Sequence, residues 1–138
     1  MKKHKIPRPT EAELAILRVL WERGPSTVRQ VHTVIEANRE VIYTTTLKLI
    51  QVMSEKGLVT REEQDRVHVY RAAHDADQMQ QRLVGDLLDR AFGGSAAKLV
   101  MQALAAKPAS AEELRELRRI IKTHEEKEKN RASDTRKR

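Results

Sequence analysis

The chain has 138 residues, 39% of them hydrophobic, enough for one globular core or for two small ones that share a partner. It holds no cysteine, which excludes a disulfide framework, a thiolate metal site and a cysteine nucleophile, and no run approaches the roughly 20 apolar residues of a membrane span. A net charge of +7 with 34% charged and only 3% aromatic residues suits a helical protein with a polyanionic partner, not a β-sandwich.

The first predicted helix begins at Thr10. Thr10 and Glu13 have the spacing of a capping box, and Leu14, Leu17 and Trp21 repeat at helical intervals, with Ile16, Val19 and Leu20 widening the stripe. Gly24-Pro25 ends it, because glycine takes a left-handed cap and proline cannot continue. A second helix starts at Ser26 or Thr27, presents Val28, Val31 and Ile35, and fades near Ala37-Asn38. A third starts at Thr44, carries Leu47, Ile50 and Met53 inward and stops at Gly57. The strand Leu58 to Arg61, a polar tip from Glu62 to Arg66 and the alternating run Val67 to Arg71 follow as a ribbon. Three short helices and a two-strand ribbon form the winged-helix pattern.

Beyond His74 the helical period returns. Met79, Leu83, Leu87 and Ala91 lie on one face until Phe92-Gly93-Gly94 breaks the run. Ser95 to Lys107 is a second helix, with Leu99, Val100 and Leu104, and Pro108 stops it. Ser110 and Glu113 start a third helix, with Leu114, Leu117 and Ile121, towards Glu128. The expected fold is mainly α with a small β-ribbon. It comprises a winged helix-turn-helix over residues 1–74, a helical dimerisation segment over 75–128 and a basic, disordered tail over 129–138. Positive charge concentrates at the two ends: Lys and Arg outnumber Asp and Glu by 13 to 9 in residues 1–74 and by 5 to 1 in 129–138, against 9 to 10 between them.

The third helix carries the functional expectation. A recognition helix sets its first turn against base edges in the major groove, using short hydrogen-bonding or long cationic side chains. Thr44, Thr45, Thr46 and Lys48 form such a set, next to Tyr43. In an isolated helix the same residues read as a cap and a solvated charge; the two preceding helices and the ribbon favour recognition. Arg29 on the second helix and Arg61, Arg66 and His68 on the ribbon are the phosphate-contact candidates, with a solvated surface as the alternative for each. Lys2, Lys3, Lys5 and Arg8 form a basic arm. The five histidines have no metal-ligand spacing, and no phosphate loop, nucleophile elbow or acid/base pair is present, so neither catalysis nor a cofactor is expected.

The stretches Thr10 to Leu14 with Trp21, Gly24-Pro25, Val28-Arg29-Gln30-Val31, Tyr43-Thr44-Thr45 and Glu55 to Val59, together with Phe92-Gly93-Gly94-Ser95 and Leu99-Val100, resemble the penicillinase-repressor family. The likeness spans residue 8 to about residue 122. It implies a cytoplasmic bacterial repressor that binds a dyad-symmetric operator as a dimer through its winged helix. It also implies a protease, linked to a membrane sensor, that cleaves the C-terminal segment in the β-lactam-responsive branch. The corresponding residues here are Met101, Gln102 and Ala103, not the Asn-Phe pair of that branch. The absence of cysteine removes the metal hook of the copper-responsive branch. Val52 stands where a polar or basic residue is expected.

Physics also argues for pairing. About 54 residues in three helices make a thin core, and sharing stripes across a two-fold axis relieves the deficit. Met79, Leu83, Leu87, Phe92, Leu99, Val100, Leu104, Leu114, Leu117 and Ile121 are the expected dimer interface. Two heads about 34 Å apart, or a multiple of it, then read a palindrome. The competing expectation is a winged-helix adaptor that binds protein and has no sequence-specific DNA binding.

Overall fold

The structure, a computed structural model, describes residues 6–136; Lys2, Lys3 and Lys5 of the expected arm, and Lys137 and Arg138 of the tail, lie outside them. The elements in order are α1 (Glu11–Arg23), α2 (Val28–Glu36), α3 (Tyr43–Lys56), β1 (Val59–Gln64), β2 (Val67–Ala72), α4 (Ala76–Ala91), α5 (Ala96–Ala106) and α6 (Ala111–Arg136). They fall into two units that meet at Arg90 and Ala91.

In the first unit local signals set the helix ends. The Thr10 hydroxyl accepts from the Glu13 amide at 3.2 Å and the Glu13 carboxylate accepts from the Thr10 amide at 2.8 Å. Thr27 and Gln30 repeat this reciprocal cap at the start of α2. Gly57, at φ 85, closes α3; its amide donates to the Ser54 carbonyl and the Leu58 amide to the Met53 carbonyl, a Schellman ending that turns fully buried Leu58 into the core.

That core gathers Ile16, Leu17 and Leu20 of α1, Val31 of α2, Ile50 and Met53 of α3, then Leu58, Val59 and Tyr70. Burying each large aliphatic side chain contributes about 1.5–3 kcal/mol. The ribbon is antiparallel, with Val59 opposite Ala72 and Gln64 opposite Val67. Ser26 adds a one-residue bridge to Tyr70, with amide–carbonyl distances of 2.9 and 2.8 Å in the two directions. This ties the start of α2 to the ribbon.

The structure departs from the sequence expectation in four places. The helix α3 starts at Tyr43, and its N-cap is Ile42, which offers no side-chain hydrogen bond, so Thr44 does not cap it. The ribbon extends further, leaving only Asp65 and Arg66 in the turn, at φ 49 and 67; two left-handed residues suit the twist of a tight hairpin. The first unit does not end at residue 74. Helix α4 packs its Met79, 1% exposed, into the winged-helix core with Leu83 beside it, and the Trp21 indole donates to the His74 carbonyl at 2.9 Å. An apolar stripe shows that a helix is covered, not by what. Arg82, ion-paired with Asp86, also donates to the Ile6 carbonyl at 2.9 Å, and Arg8 lies 3.4 Å from Asp86, which fastens the N-terminal segment to α4.

The fourth departure is α6, which continues to Arg136 where a disordered tail is expected from residue 129. Residues 111–136 contain no glycine or proline, and Glu128–Arg131 and Arg119–Glu116 pairs lie along the helix surface. In this second unit Ser95 and Ser110 cap α5 and α6 through the amides of Lys98 and Glu113. Neither helix has a buried residue: Val100, Met101, Ile120 and Ile121 are open to solvent, and Leu99, Leu104, Leu114 and Leu117 are half covered. No helix among the described residues is long and apolar enough to cross a membrane.

Candidate nucleic-acid interface

The geometry of α3 sorts its first turn into two faces. Thr46, Ile50 and Met53 point inward and are at most 1% exposed. Thr44, Thr45 and Lys48 point outward and are exposed. Thr46 was expected among the base readers, and the structure removes it: its hydroxyl lies 2.8 Å from Nδ1 of buried His32, behind the helix. A 100° step per residue turns Thr46 away from the side that Thr45 occupies.

His32 is the element that sequence reasoning missed. It sits on α2, 5% exposed, with Nδ1 at Thr46 and Nε2 at 3.1 Å from the Glu36 carboxylate. Its ring meets Tyr43 edge-on at 5.5 Å. Tyr43 in turn supports Arg29, whose guanidinium carbon lies 4.2 Å from the ring centroid. Tyr43 is therefore half-buried packing that holds a cation beside the start of α3. The only sequence signal for this cluster is the position of His32 next to Val31 on the inner side of α2.

This arrangement separates stability from reading. Replacing Thr46 by Val leaves the buried His32 nitrogen without a partner and is expected to cost about 1–3 kcal/mol in urea unfolding. Thr45→Val is expected to leave the unfolding midpoint nearly unchanged and to weaken a specific duplex several-fold more than random DNA. Equal effects of the two substitutions on both measurements would contradict the two-face assignment.

The ribbon places Arg61 opposite Tyr70 and His68 opposite Glu63, so Arg61 and His68 share one face. Arg71 lies on the other face and pairs with Glu62 at 3.3 Å. Arg66 is exposed in the turn. Among the described residues, Arg29, Lys48, Arg61 and Arg66 have no carboxylate partner, whereas Arg8, Lys56, Arg71 and Arg82 each have one. Lys48 on α3 and Arg61 and Arg66 on the ribbon thus stay available to an anion, although Glu63 and Asp65 stand near them in the chain.

A shallow concave strip runs along the outer face of α3, lined by Thr44, Thr45, Lys48, Leu49 and Val52. Ile42, 69% exposed at the N-cap, stands at its head. Val52 thus shares the outer strip with the reading residues and does not fill the core.

Of the residues expected to pair two chains, Met79 is withdrawn because it is sealed in the first unit's core, and Leu83 lies half-buried against that core. Leu87 is exposed on α4, Phe92 is half-buried, and the candidates on α5 and α6 lie open or half covered as described. Met101, Gln102 and Ala103 are exposed within the helical part of α5.

Comparison with known proteins gives a consistent assignment. The family model described as Penicillinase repressor matches residues 9–123. The chain is 38% identical over 88 residues to the transcriptional regulator BlaI of Mycobacterium tuberculosis, a match covering 63% of this chain and 64% of that protein. It is 26% identical over 129 residues to the penicillinase repressor of Bacillus licheniformis, covering 91% and 98%. A solution structure of the Bacillus licheniformis BlaI monomeric form in complex with the blaP half-operator is similar with a TM-score of 0.48 and 23% identity, over 54% of this chain and 90% of that one.

Proposed function

The chain belongs to the penicillinase repressor family, and on that premise we propose that it is a sequence-specific transcriptional repressor that binds a dyad-symmetric DNA operator as a homodimer. The observation that carries this reading is the outer face of α3, where exposed Thr44, Thr45 and Lys48 lie among cations that no carboxylate neutralises among the described residues. Threonine hydroxyls donate to or accept from base edges and the lysine ammonium reaches guanine acceptors or phosphate. Arg29, held on Tyr43, and Arg61, Arg66 and His68 on the ribbon fix the register on the backbone.

The same reading assigns the second unit to pairing. Helices α5 and α6 expose apolar side chains that a second copy covers: Leu99, Val100, Leu104, Leu114, Leu117 and Ile121, with Met101 and Ile120 added; Leu87 and Val84 on α4, and Phe92 just after it, offer further apolar surface. The protein acts by occupancy, without catalysis, in the cytoplasm. Its release by a sensor-linked protease at Met101 to Ala103 requires α5 to open first, because a helical backbone does not fit an extended protease cleft.

Footprinting on DNA upstream of the gene tests the reading. A protected dyad is expected, preferred over random sequence by roughly a thousandfold or more, with affinity falling steeply as salt rises. Lys48→Ala is expected to weaken the dyad more than random DNA. Binding that ignores sequence, or no binding, would leave the protein-binding adaptor as the better account.

A further inference from the structure

The outer face of the recognition helix is more apolar than its polar first turn suggests. Ile42, Thr45, Leu49 and Val52 follow one another at intervals of three, four and three residues, which aligns them along one side of α3. Ile42 is 69% exposed, and Leu49 and Val52 are half-buried at the surface. Thr44, Thr45, Lys48, Leu49 and Val52 line one shallow strip. A surface helix with only its inner side covered keeps polar groups on the other; Leu49 also packs against the core, but Ile42 and Val52 do not, so the core does not explain the whole stripe. Helix α3 therefore has two apolar sides: Thr46, Ile50 and Met53 belong to the core, and the other, which Leu49 links to it, presents Val52 and Ile42 outward.

We propose that this second stripe reads thymine, through contact of Leu49 and Val52 with thymine 5-methyl groups in the major groove. The inference rests on the DNA-binding reading above and deepens it by naming the bases. Within the major groove the 5-methyl group is the apolar feature that distinguishes thymine from the other bases. Lys48 lies in the strip, so the apolar side chains stand beside a cation suited to a duplex. The Thr45 methyl continues the stripe while its hydroxyl hydrogen-bonds. A basic residue at position 52 selects a base-edge acceptor or a phosphate. Valine has neither capability and offers only shape and methyl contact. The half-site is accordingly thymine-bearing where the second turn of α3 passes, and Val52 is a specificity-determining residue.

The test uses the full chain and a synthetic duplex carrying the best site selected from a random-sequence DNA pool. Each thymine of a half-site is replaced in turn by deoxyuridine, which removes only the methyl group. At one or more positions the affinity is expected to fall about fourfold, the equivalent of one methyl group withdrawn from apolar contact. Val52→Thr, nearly isosteric, is expected to shrink the thymine/deoxyuridine ratio at one position, and Leu49→Ala at the same or the adjacent one. Leu49 also touches the core, so the deoxyuridine series on the unaltered protein is decisive by itself. Enrichment of a site whose thymines all tolerate deoxyuridine would overturn the proposal and leave sequence-specific binding intact. Full discrimination retained in both variants would also overturn it. If no site is enriched, the DNA-binding reading fails and the methyl reading fails with it.

Discussion

Ending the chain after Arg90 is expected to lower affinity for a full dyad by a factor of about 10²–10⁴ while leaving the winged head folded. The head keeps its whole buried core in such a truncation: Ile16, Leu17, Val31, Ile50, Met53, Leu58, Tyr70 and Met79 all precede Arg90. Nearly all of α4 stays as well, with Arg82 and Asp86 still holding the N-terminal segment. The truncation removes α5 and α6, which expose Val100, Met101, Ile120 and Ile121 and bury nothing. If those helices join two copies, one head's binding brings the second to its half-site at an effective concentration far above that of free protein. Without them each head binds alone. Sedimentation should show a dimer for the full chain and a monomer for the truncation, and binding to an isolated half-site should change little. Equal affinity of the two proteins for the full dyad would refute pairing as the source of operator affinity.

The head was legible in the sequence because its signals are local. Thr10 with Glu13 and Thr27 with Gln30 fix helix starts within four residues, and Gly57 fixes an end. Residues whose role depends on a distant partner were read less well. Thr46 looks identical in sequence to Thr45, and only the fold brings His32 behind it, 14 positions away. Met79 has the same spacing on its stripe as Leu83 and Leu87, yet it is buried in the first unit's core while Leu87 stays exposed. The extension of α6 was missed for a different reason: a polar, charged composition suits both a solvated helix and a disordered tail, and continuity with the preceding turn decides between them. Val52 departs from the polar or basic residue expected at its position, and what it does there depends on Thr45 and Leu49, which line the same strip.

The Glu13–Lys56 tie shows how such a distant partner acts on the recognition helix, and its removal is expected to be strongly destabilising. Glu13 begins α1 as half of a capping box, and 43 residues later Lys56, in the last turn of α3, places its ammonium 2.9 Å from both carboxylate oxygens. The glutamate is 1% exposed. Burial alone pushes its carboxyl pKa up, but the Thr10 amide and the Lys56 ammonium more than offset this and hold it below the usual carboxylate range. Lys56 keeps 38% of its side chain exposed, so the pair itself is partly screened. Glu13→Ala removes the cap and the tie together and is expected to cost about 2–3 kcal/mol at neutral pH. Glu13→Gln keeps a capping side chain and is expected to cost less. The gap between the wild type and Glu13→Gln carries the ionisation. It is complete above the unfolded carboxyl pKa, about 4.3, and is lost as pH falls through the lower folded value, because the unfolded chain takes up the proton first. Urea unfolding at neutral pH and at progressively lower pH measures it, and a gap that stays constant into strong acid would mean that the carboxylate charge contributes nothing. Lys56→Met should instead leave the buried carboxylate with Thr10 alone and raise its pKa towards the unfolded value, lowering stability at neutral pH and shrinking the further loss that acid causes. Because the tie fastens the end of α3 to the start of α1, Glu13→Ala and Lys56→Met should also weaken operator binding slightly more than their loss of folded protein accounts for.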